Sequence, residues 1–257
     1  MGAKRLLVLP TGSCFLSESR IRRGGSSTEI VEIPMPMYAI DTDDGWIIYD
    51  TGCDPNVAID PSGTWGKLAN AYRIEMKNED HQLARLASIG VTPKDVSHVV
   101  ASHLHMDHAG GLRFFQDSII HVQKAEFRWA HFPDKIASAG YVASDFDSAS
   151  LNFQLDEGDK EIVPGVYVIL TDGHTPGHQS LIVDLPSGRF LLTGDCAYER
   201  SQIDRLIPPP VTTDEVAAVR SLARVRAIEI RDNATVLVAH DSKAWLTTRI
   251  APEAEYE

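Results

Sequence analysis

Three histidines and an aspartate fall within six consecutive positions of the chain. The stretch from Ser102 to Gly111 reads Ser-His-Leu-His-Met-Asp-His-Ala-Gly-Gly and supplies His103, His105, Asp107 and His108. Imidazole nitrogens and carboxylate oxygens are the ligands that suit zinc and neighbouring divalent metals. Without a metal, such a cluster would lose hydration and its histidines would repel one another when protonated. The pattern favours a metal site over a histidine-rich surface loop.

Further residues that can bind a metal occur later, each next to a predicted strand. They are His178, in the segment Asp172-Gly-His-Thr-Pro-Gly-His178, then Asp195 and His240. Strand ends that meet at one edge of a sheet in α/β proteins are where ligands bind. Seven ligands are too many for one tetrahedral zinc ion. The sequence therefore predicts two metals that share one carboxylate.

Alternating strand and helix patterns must position these ligands, as in α/β proteins. Apolar runs predict strands at 6–9, 38–42, 46–50, 96–101, 119–123, 166–170, 180–184, 189–193 and 235–239. The second and third strands flank Asp43-Asp44-Gly45, which has the composition of a hairpin turn. His98 lies inside the strand that precedes the histidine cluster, and we expect it to be an ordinary core or edge histidine.

Three helices are predicted between the strands. The first runs from Asn78 to Gly90, the second from Glu126 to His131, and the third follows a capping-box pattern at Thr212-Thr-Asp-Glu215. The third helix repeats apolar residues at helical spacing, namely Val216, Val219, Leu222, Ala223, Ala227 and Ile230. The loop from Gly52 to about residue 78 carries large apolar residues and is a candidate lid or pocket wall.

Composition and charge argue against several classes of partner. Of the 257 residues, 43% are hydrophobic, and no run approaches the roughly 18 apolar residues of a membrane span. The net charge of −12 disfavours nucleic acid and anionic membranes as partners, because phosphate binding needs clustered Lys and Arg. The one basic cluster, Arg20 with Arg22 and Arg23, is predicted to be a solvated loop.

The remaining sequence features indicate a single domain spanning residues 1–257. No internal repeat, low-complexity segment or linker divides the chain. Cys14, Cys53 and Cys196 are odd in number and widely spaced, which argues against a disulfide framework and a thiolate zinc site. The apolar run at 6–9 is too short for the core of a secretion signal. It indicates a first strand, and we expect a cytoplasmic location.

These motifs resemble the metallo-β-lactamase superfamily, whose mark is His-x-His-x-Asp-His followed by a distant His, Asp and His. More narrowly, the chain is similar to the N-acyl-homoserine lactonase branch through residues 102–111, Thr175-Pro-Gly-His-Gln-Ser180, Asp195-Cys-Ala-Tyr198 and His240-Asp241. Asp54-Pro55, Gly63-Thr-Trp65-Gly66 and Asp241-Ser-Lys-Ala-Trp245 are also similar to the γ-butyrolactone-cleaving members. The resemblance implies an α/β fold, a four-layer αβ/βα sandwich with two central mixed sheets flanked by helices.

The resemblance also implies a role for each site residue. One metal is assigned three imidazoles, those of His103, His105 and His178. The other is assigned Asp107, His108 and His240. Asp195 is expected to bridge the two, and His174 to support the ligands from outside. Tyr198 matches the tyrosine that points at the substrate carbonyl oxygen. The cofactors implied are two divalent ions, with zinc expected first, and the nitrogen and oxygen ligands also allow manganese, cobalt or iron.

The activity implied is opening of the lactone ring of N-acyl-homoserine lactones, a quorum-quenching reaction. A hydroxide held between the metals would attack the ester carbonyl. Tyr198 and one metal would stabilise the oxyanion, and Asp107 would pass a proton to the leaving alkoxide. The expected partner is a small lactone. Relatives include dimers, so a homodimer stays open.

Alternatives remain at this point. A hydrolase of γ-butyrolactone or other small lactones fits about equally well. A thioesterase of the glyoxalase II type would need a basic site that binds its anionic glutathione substrate, and none is evident near the C-terminus. A secreted β-lactamase would need a signal peptide, the acidic balance disfavours a nuclease, and a flavodiiron protein has an acidic residue in place of His105. A metal-dependent binding protein without catalysis is the alternative outside the enzymes.

Several residues are expected to shape the substrate pocket. Gly194 stands where lactonase relatives often have a larger apolar residue, and Met106 where some have an aromatic one. Both departures are expected to alter the pocket, whereas Cys196 is not expected to be a ligand. Six large side chains are candidates for an apolar groove: Met35, Met37, Trp65, Tyr72, Trp129 and Phe132.

Overall fold

A computed structural model describes residues 2–135 and 138–257 of the chain. The first sheet has seven strands: β1 (Ala3–Ser17), β2 (Ile30–Thr42), β3 (Gly45–Tyr49), β4 (Arg73–Glu75), β5 (Val96–Val100), β6 (Ile119–Gln123) and β7 (Asn152–Asp156). Their order is β4-β1-β2-β3-β5-β6-β7. Strands β3, β5, β6 and β7 pair in parallel, whereas β1 pairs antiparallel with β2 and β4. The sheet is therefore mixed.

The second sheet has five strands, all later in the chain: β8 (Lys160–Val163), β9 (Val166–Leu170), β10 (Gln179–Leu185), β11 (Gly188–Leu192) and β12 (Thr235–Leu237). Their order is β12-β11-β10-β9-β8. Only the β11–β12 pair among the described strands of this sheet is parallel. As a result, β9, β11 and β12 all end at the same edge.

Eight α-helices lie within the described ranges. They are α1 (Pro61–Trp65), α2 (Gln82–Ser88), α3 (Met106–Ala109), α4 (Lys124–His131), α5 (Ala143–Phe146), α6 (Arg200–Arg205), α7 (Glu215–Asp232) and α8 (Ser242–Trp245). None of the helices in this part of the chain combines the length and the apolar character that crossing a bilayer requires.

Side-chain alternation along the strands builds three stacked apolar layers. In β1, Leu6 and Val8 pack against the second sheet, where Val168 and Leu181 face them. Leu7 and Leu9 point to the opposite face, as the two-residue period of a strand requires. There they join buried residues that include Leu86 of α2 and Ala130 of α4. Leu222, Val225 and Ile228 of α7 cover the outer face of the second sheet. The predicted four-layer αβ/βα sandwich is confirmed.

All nine predicted strands are present, and β4, β7 and β8 are additional. The hairpin is also confirmed, because Thr42 pairs with Gly45 across a two-residue turn and Gly45 has a φ of 101°. The predicted lid segment is not one long loop. It contains α1 and β4, and Cys14 pairs with Ile74 where β4 joins β1.

Two predictions about α7 are wrong. The N-cap is Asp214, whose side chain accepts the Val216 and Ala217 amides, so the Thr212–Glu215 capping box does not form. Of the predicted apolar face only Leu222 is buried. The buried face is displaced from the predicted one and consists of Ala218, Ser221, Leu222, Val225 and Ile228. At its N-terminal end the helix lies close to Gly173, where a Cβ would be 2.2 Å from the Ala218 nitrogen.

Candidate metal centre

The predicted ligands converge at the edge where the strands of both sheets end. His103 and His105 follow β5, Asp195 follows β11 and His240 follows β12. The structure groups the candidate ligand atoms into two sets, each with its atoms within 4.8 Å of one another. The first set is His103, His105, His174 and Asp195, and the second is Asp107, His108 and His240.

The Asp195 carboxylate lies between the two sets. Its Oδ2 is 3.3 Å from His174 Nε2 and 3.8 Å from His103 Nε2. Its Oδ1 is 3.2 Å from His108 Nε2 and 3.0 Å from His240 Nε2. One oxygen thus faces each set, the arrangement expected of a carboxylate shared by two metals.

Buried atoms without hydrogen-bond partners show that a cation fits here. His108 Nε2, His240 Nε2 and Asp195 Oδ1 are all buried, and although the oxygen lies 3.2 and 3.0 Å from the two nitrogens, none of the three forms a well-aligned hydrogen bond. Each such atom costs about 1–3 kcal/mol when left unsatisfied. Three such atoms lie close together here. Leaving them without a partner costs free energy, whereas a bound divalent ion would satisfy them.

The geometry reverses our choice between His174 and His178. His178 Nε2 accepts the Asp195 backbone N–H at 2.9 Å, and its Nδ1 donates to the Thr171 carbonyl at 3.1 Å. Burial lowers the pKa of His178 to about 3, so the ring is a neutral hydrogen-bonding group with both nitrogens in use. His174 Nε2 instead lies 3.1 Å from His105 Nδ1 and 3.2 Å from His103 Nε2. The first set of candidate ligand atoms thus contains His174, whereas His178, which we expected to be the ligand, lies outside it.

Backbone and carboxylate acceptors orient the ligand rings. His174 Nδ1 donates to the Val211 carbonyl at 2.7 Å, and His240 Nδ1 donates to the Pro34 carbonyl at 2.9 Å. His108 Nδ1 lies 2.8 Å from Asp50 Oδ2. Partners of this kind fix the tautomer and leave the other ring nitrogen free for a metal.

Burial and neighbouring charges shift the pKa values of the four histidines in opposite directions. Burial lowers the pKa values of His103 and His105 well below the usual range, and neighbouring histidines add to this effect. Burial also opposes protonation of His108 and His240, but Asp195 and Asp107 outweigh it and raise both pKa values.

A cavity of about 520 Å³ opens beside the cluster. Asp107, His174, Asp195, His240 and Tyr198 all line it. The Tyr198 ring lies 5.5 Å from the His240 ring and 5.8 Å from the His174 ring, measured between centroids. Burial raises the pKa of Tyr198 well above its usual value, so the phenol stays protonated and can donate a hydrogen bond into the cavity.

Comparison with known proteins agrees with this arrangement. The sequence model described as "Metallo-beta-lactamase superfamily" matches residues 36–240. The chain belongs to this superfamily. Among its curated members, the N-acyl homoserine lactonase AttM of Azorhizobium caulinodans is 34% identical over 255 residues, which cover 96% of this chain and 97% of the relative. The N-acyl homoserine lactonase of a Bacillus species is 32% identical over 256 residues, 98% of this chain and 99% of the relative.

Solved structures from the same superfamily match over nearly the whole length. One is an N-acyl homoserine lactone hydrolase with the product N-hexanoyl-L-homoserine bound at the catalytic metal centre. It is 29% identical, with a TM-score of 0.90 and coverage of 99% of this chain and 100% of that chain. A variant of AiiA from Bacillus thuringiensis, with N-decanoyl-L-homoserine bound at the active site, matches with the same identity, TM-score and coverage.

The groove predictions for this metallo-β-lactamase superfamily member are right for two residues of six. Tyr72 and Trp129 line the cavity. Met35, Met37 and Trp65 are buried in apolar clusters, and Phe132 is 87% exposed. The rest of the apolar lining comes mainly from residues that sequence reasoning missed: Leu16, Ile21, Ile33, Pro210 and Val211.

The two departures from the family pattern have different outcomes. Met106 lines the cavity, as expected. Gly194 does not: it has a φ of 50°, and a Cβ there would lie 2.8 Å from both His178 Nε2 and Tyr49 Oη. Gly194 thus makes room for the His178 ring rather than shaping the pocket. Cys196 packs in the apolar layer under α7 and, as predicted, is in neither ligand set.

A fully buried carboxylate that we did not predict holds the two histidine loops together. Glu126 of α4 accepts the Leu104 N–H at 3.0 Å, between His103 and His105. It also accepts the Gly177 N–H at 3.3 Å and the Tyr141 hydroxyl at 2.9 Å. Glu126 therefore positions both loops that carry the first ligand set.

Proposed function

We propose that this protein is a metal-dependent lactonase that opens the ring of N-acyl homoserine lactones. The observation that carries the proposal is the Asp195 carboxylate between two ligand sets, with the Tyr198 phenol beside them in the cavity. Relatives and solved structures described as N-acyl homoserine lactonases, matched over nearly the full length, support the substrate class.

We propose that two divalent ions occupy the site, with His174 in the place we first gave to His178. His103, His105 and His174 would hold one ion, and Asp107, His108 and His240 the other, with Asp195 shared. When bound, such ions supply a hydroxide nucleophile near neutral pH and positive charge next to the carbonyl. Zinc is our first expectation, and a cytoplasmic location and a homodimer stay predictions.

The chain's own groups then carry the remaining steps. The Tyr198 hydroxyl donates to the lactone carbonyl oxygen and stabilises the negative charge that develops on it. Asp107, half-buried at the cavity wall, takes the proton of the attacking water. It delivers that proton to the ring oxygen as the acyl C–O bond breaks. Water is added across the ester, and the product is a hydroxy acid.

A hydrolysis panel with metal analysis tests the proposal. The purified, metal-loaded protein is assayed with a pH indicator on acyl homoserine lactones of graded chain length, γ-butyrolactone, a glutathione thioester and a β-lactam. We expect turnover of acyl homoserine lactones and about two metal ions per chain. Absence of turnover across the whole panel would refute the enzyme and favour a binding protein, and γ-butyrolactone as the sole substrate would indicate a small-lactone hydrolase.

Two variants test the assigned roles. Tyr198→Phe should lower kcat by about 10²–10³-fold, the usual cost of one oxyanion donor. Tyr167→Phe, which removes a hydroxyl outside the cavity, is the matched control. Asp107→Asn needs a metal count beside the kinetics, because Asp107 is both a proposed ligand and the proposed proton carrier. Unchanged turnover of every lactone by Tyr198→Phe would remove that residue from the mechanism.

A further inference from the structure

Arg20 places a cation in the cavity, where the sequence predicted a solvated loop. It ends the 3-10 turn Glu18–Arg20 that follows β1. Among the cavity-lining residues in the described part of the chain, it is the one lysine or arginine. The wall around it is largely apolar, with Leu16, Ile33 and Met106 on it.

The partners of Arg20 differ from those of the neighbouring arginines. Arg22 and Arg23 both form ion pairs with glutamates. Within residues 2–135 and 138–257, no carboxylate lies within 4 Å of the Arg20 guanidinium. It donates instead to the Tyr72 hydroxyl at 2.9 Å and lies 5.1 Å from the centre of that ring. A guanidinium carries five N–H donors, so Arg20 keeps donors for a ligand in the cavity.

One buried side chain links this turn to Tyr198. The Gln202 amide oxygen accepts the Tyr198 N–H at 2.8 Å, and its nitrogen donates to the Ile21 carbonyl at 2.9 Å. Ile21 directly follows Arg20, so the guanidinium and the phenol are carried by backbone segments that are joined through a single residue. The spacing between the backbone that carries the cation and the backbone that carries the phenol is therefore set by the fold.

We propose that Arg20 is a specificity-determining residue that binds an oxygen acceptor on the chain attached to the lactone ring. The inference rests on the proposed function, because a carbonyl held at Tyr198 leaves the acyl chain to run along the cavity wall. A chain oxygen that enters an apolar wall loses hydration and needs a donor. The Arg20 guanidinium is such a donor, and it is positively charged. The acceptor is either the neutral ketone of a 3-oxoacyl chain or the terminal carboxylate of a dicarboxylic acyl chain.

The test compares substrates of equal chain length with and without the oxygen. We measure kcat/KM of the metal-loaded enzyme for hexanoyl, 3-oxohexanoyl and adipoyl homoserine lactones. The wild type should prefer at least one oxygen-bearing substrate over the hexanoyl one. Arg20→Met should lower that preference about tenfold, equal to about 1.4 kcal/mol. Arg20→Lys should keep part of the preference. If the 3-oxohexanoyl preference falls in Arg20→Met, the acceptor is the ketone, and if the adipoyl preference falls, it is the carboxylate.

Controls separate binding from structure. Arg220→Met removes an exposed cation of α7 that does not line the cavity, and should leave the preference unchanged. Tyr72→Phe, which removes the hydroxyl that holds the guanidinium, should weaken it. The proposal is overturned if wild type and Arg20→Met show the same ratio in both arms. Calorimetric titration with the three ring-opened products compares their Kd values, so the preference can also be measured without turnover. Absence of hydrolysis would therefore refute the proposed function separately.

Discussion

The exchange of roles between His174 and His178 gives the sharpest prediction, because the two residues differ in what their deletion leaves behind. His178→Ala removes the acceptor of the buried Asp195 N–H and the donor to the buried Thr171 carbonyl. Two orphaned groups at about 1–3 kcal/mol each should lower the free energy of unfolding of the metal-free protein by about 3–5 kcal/mol.

His174→Ala should have the opposite profile. The carbonyl it orphans belongs to Val211, a partly exposed residue of the cavity wall, so the metal-free protein should lose less stability than it does in His178→Ala, about 1 kcal/mol. The first ligand set, however, loses an imidazole whose Nε2 faces His103, His105 and Asp195. The variant should therefore retain about one metal ion per chain after dialysis.

The assay pairs urea unfolding of the metal-free proteins with elemental analysis of the metal-loaded ones. His131→Ala is the matched control, since His131 is a half-buried histidine of α4 outside both ligand sets. If His178→Ala lost a metal ion at unchanged metal-free stability, while His174→Ala kept both ions, our reading of the two rings would be refuted.

Three further predictions concern buried or capping carboxylates. Glu126→Ala, which orphans the Leu104 and Gly177 amides, should lower the free energy of unfolding by about 3 kcal/mol and speed metal loss to a chelator. Burial raises the pKa of Asp145 to about 7, so its protonated form stabilises the fold below about pH 4, and this contribution is lost as the pH rises through 7. Unfolding stability should therefore drop between pH 4 and 8 in the wild type by about 4 kcal/mol more than in Asp145→Asn, as urea titrations at both pH values would show. Asp214→Ala should cost about 1 kcal/mol by removing the N-cap of α7, and a thermal melt unchanged from wild type would contradict that assignment.

The convergence of most candidate ligands could be predicted from the sequence, because much of the pattern is local. His103 to His108 fall in one short segment, and strand-end logic brings Asp195 and His240 to the same edge. The choice between His174 and His178 is different. Both lie in one loop four residues apart, and what decides between them is a backbone N–H from a distant strand end. No pattern within the loop carries that information.

Other errors have equally specific physical causes. The buried face of α7 was misassigned because apolar residues occur on two sides of this helix. Val216, Val219 and Ile230 are exposed, whereas Val225 and Ile228 pack on the second sheet. Asp50 carries a signal that could have been used, since it directly follows β3, which is parallel to β5. Glu126 has no such signal, because its fully buried position depends on three contacts distant in sequence.

The division of the sheets along the chain has a consequence for the metals. The first sheet is complete by Asp156, and the second begins at Lys160. Four residues of the two ligand sets lie before this junction and three after it. Bound ions would therefore fasten the two halves of the chain to each other, with a strength that follows the free metal concentration. Cutting the chain at 157–159 should yield two fragments that reassemble in a metal-dependent way, each holding only part of both ligand sets.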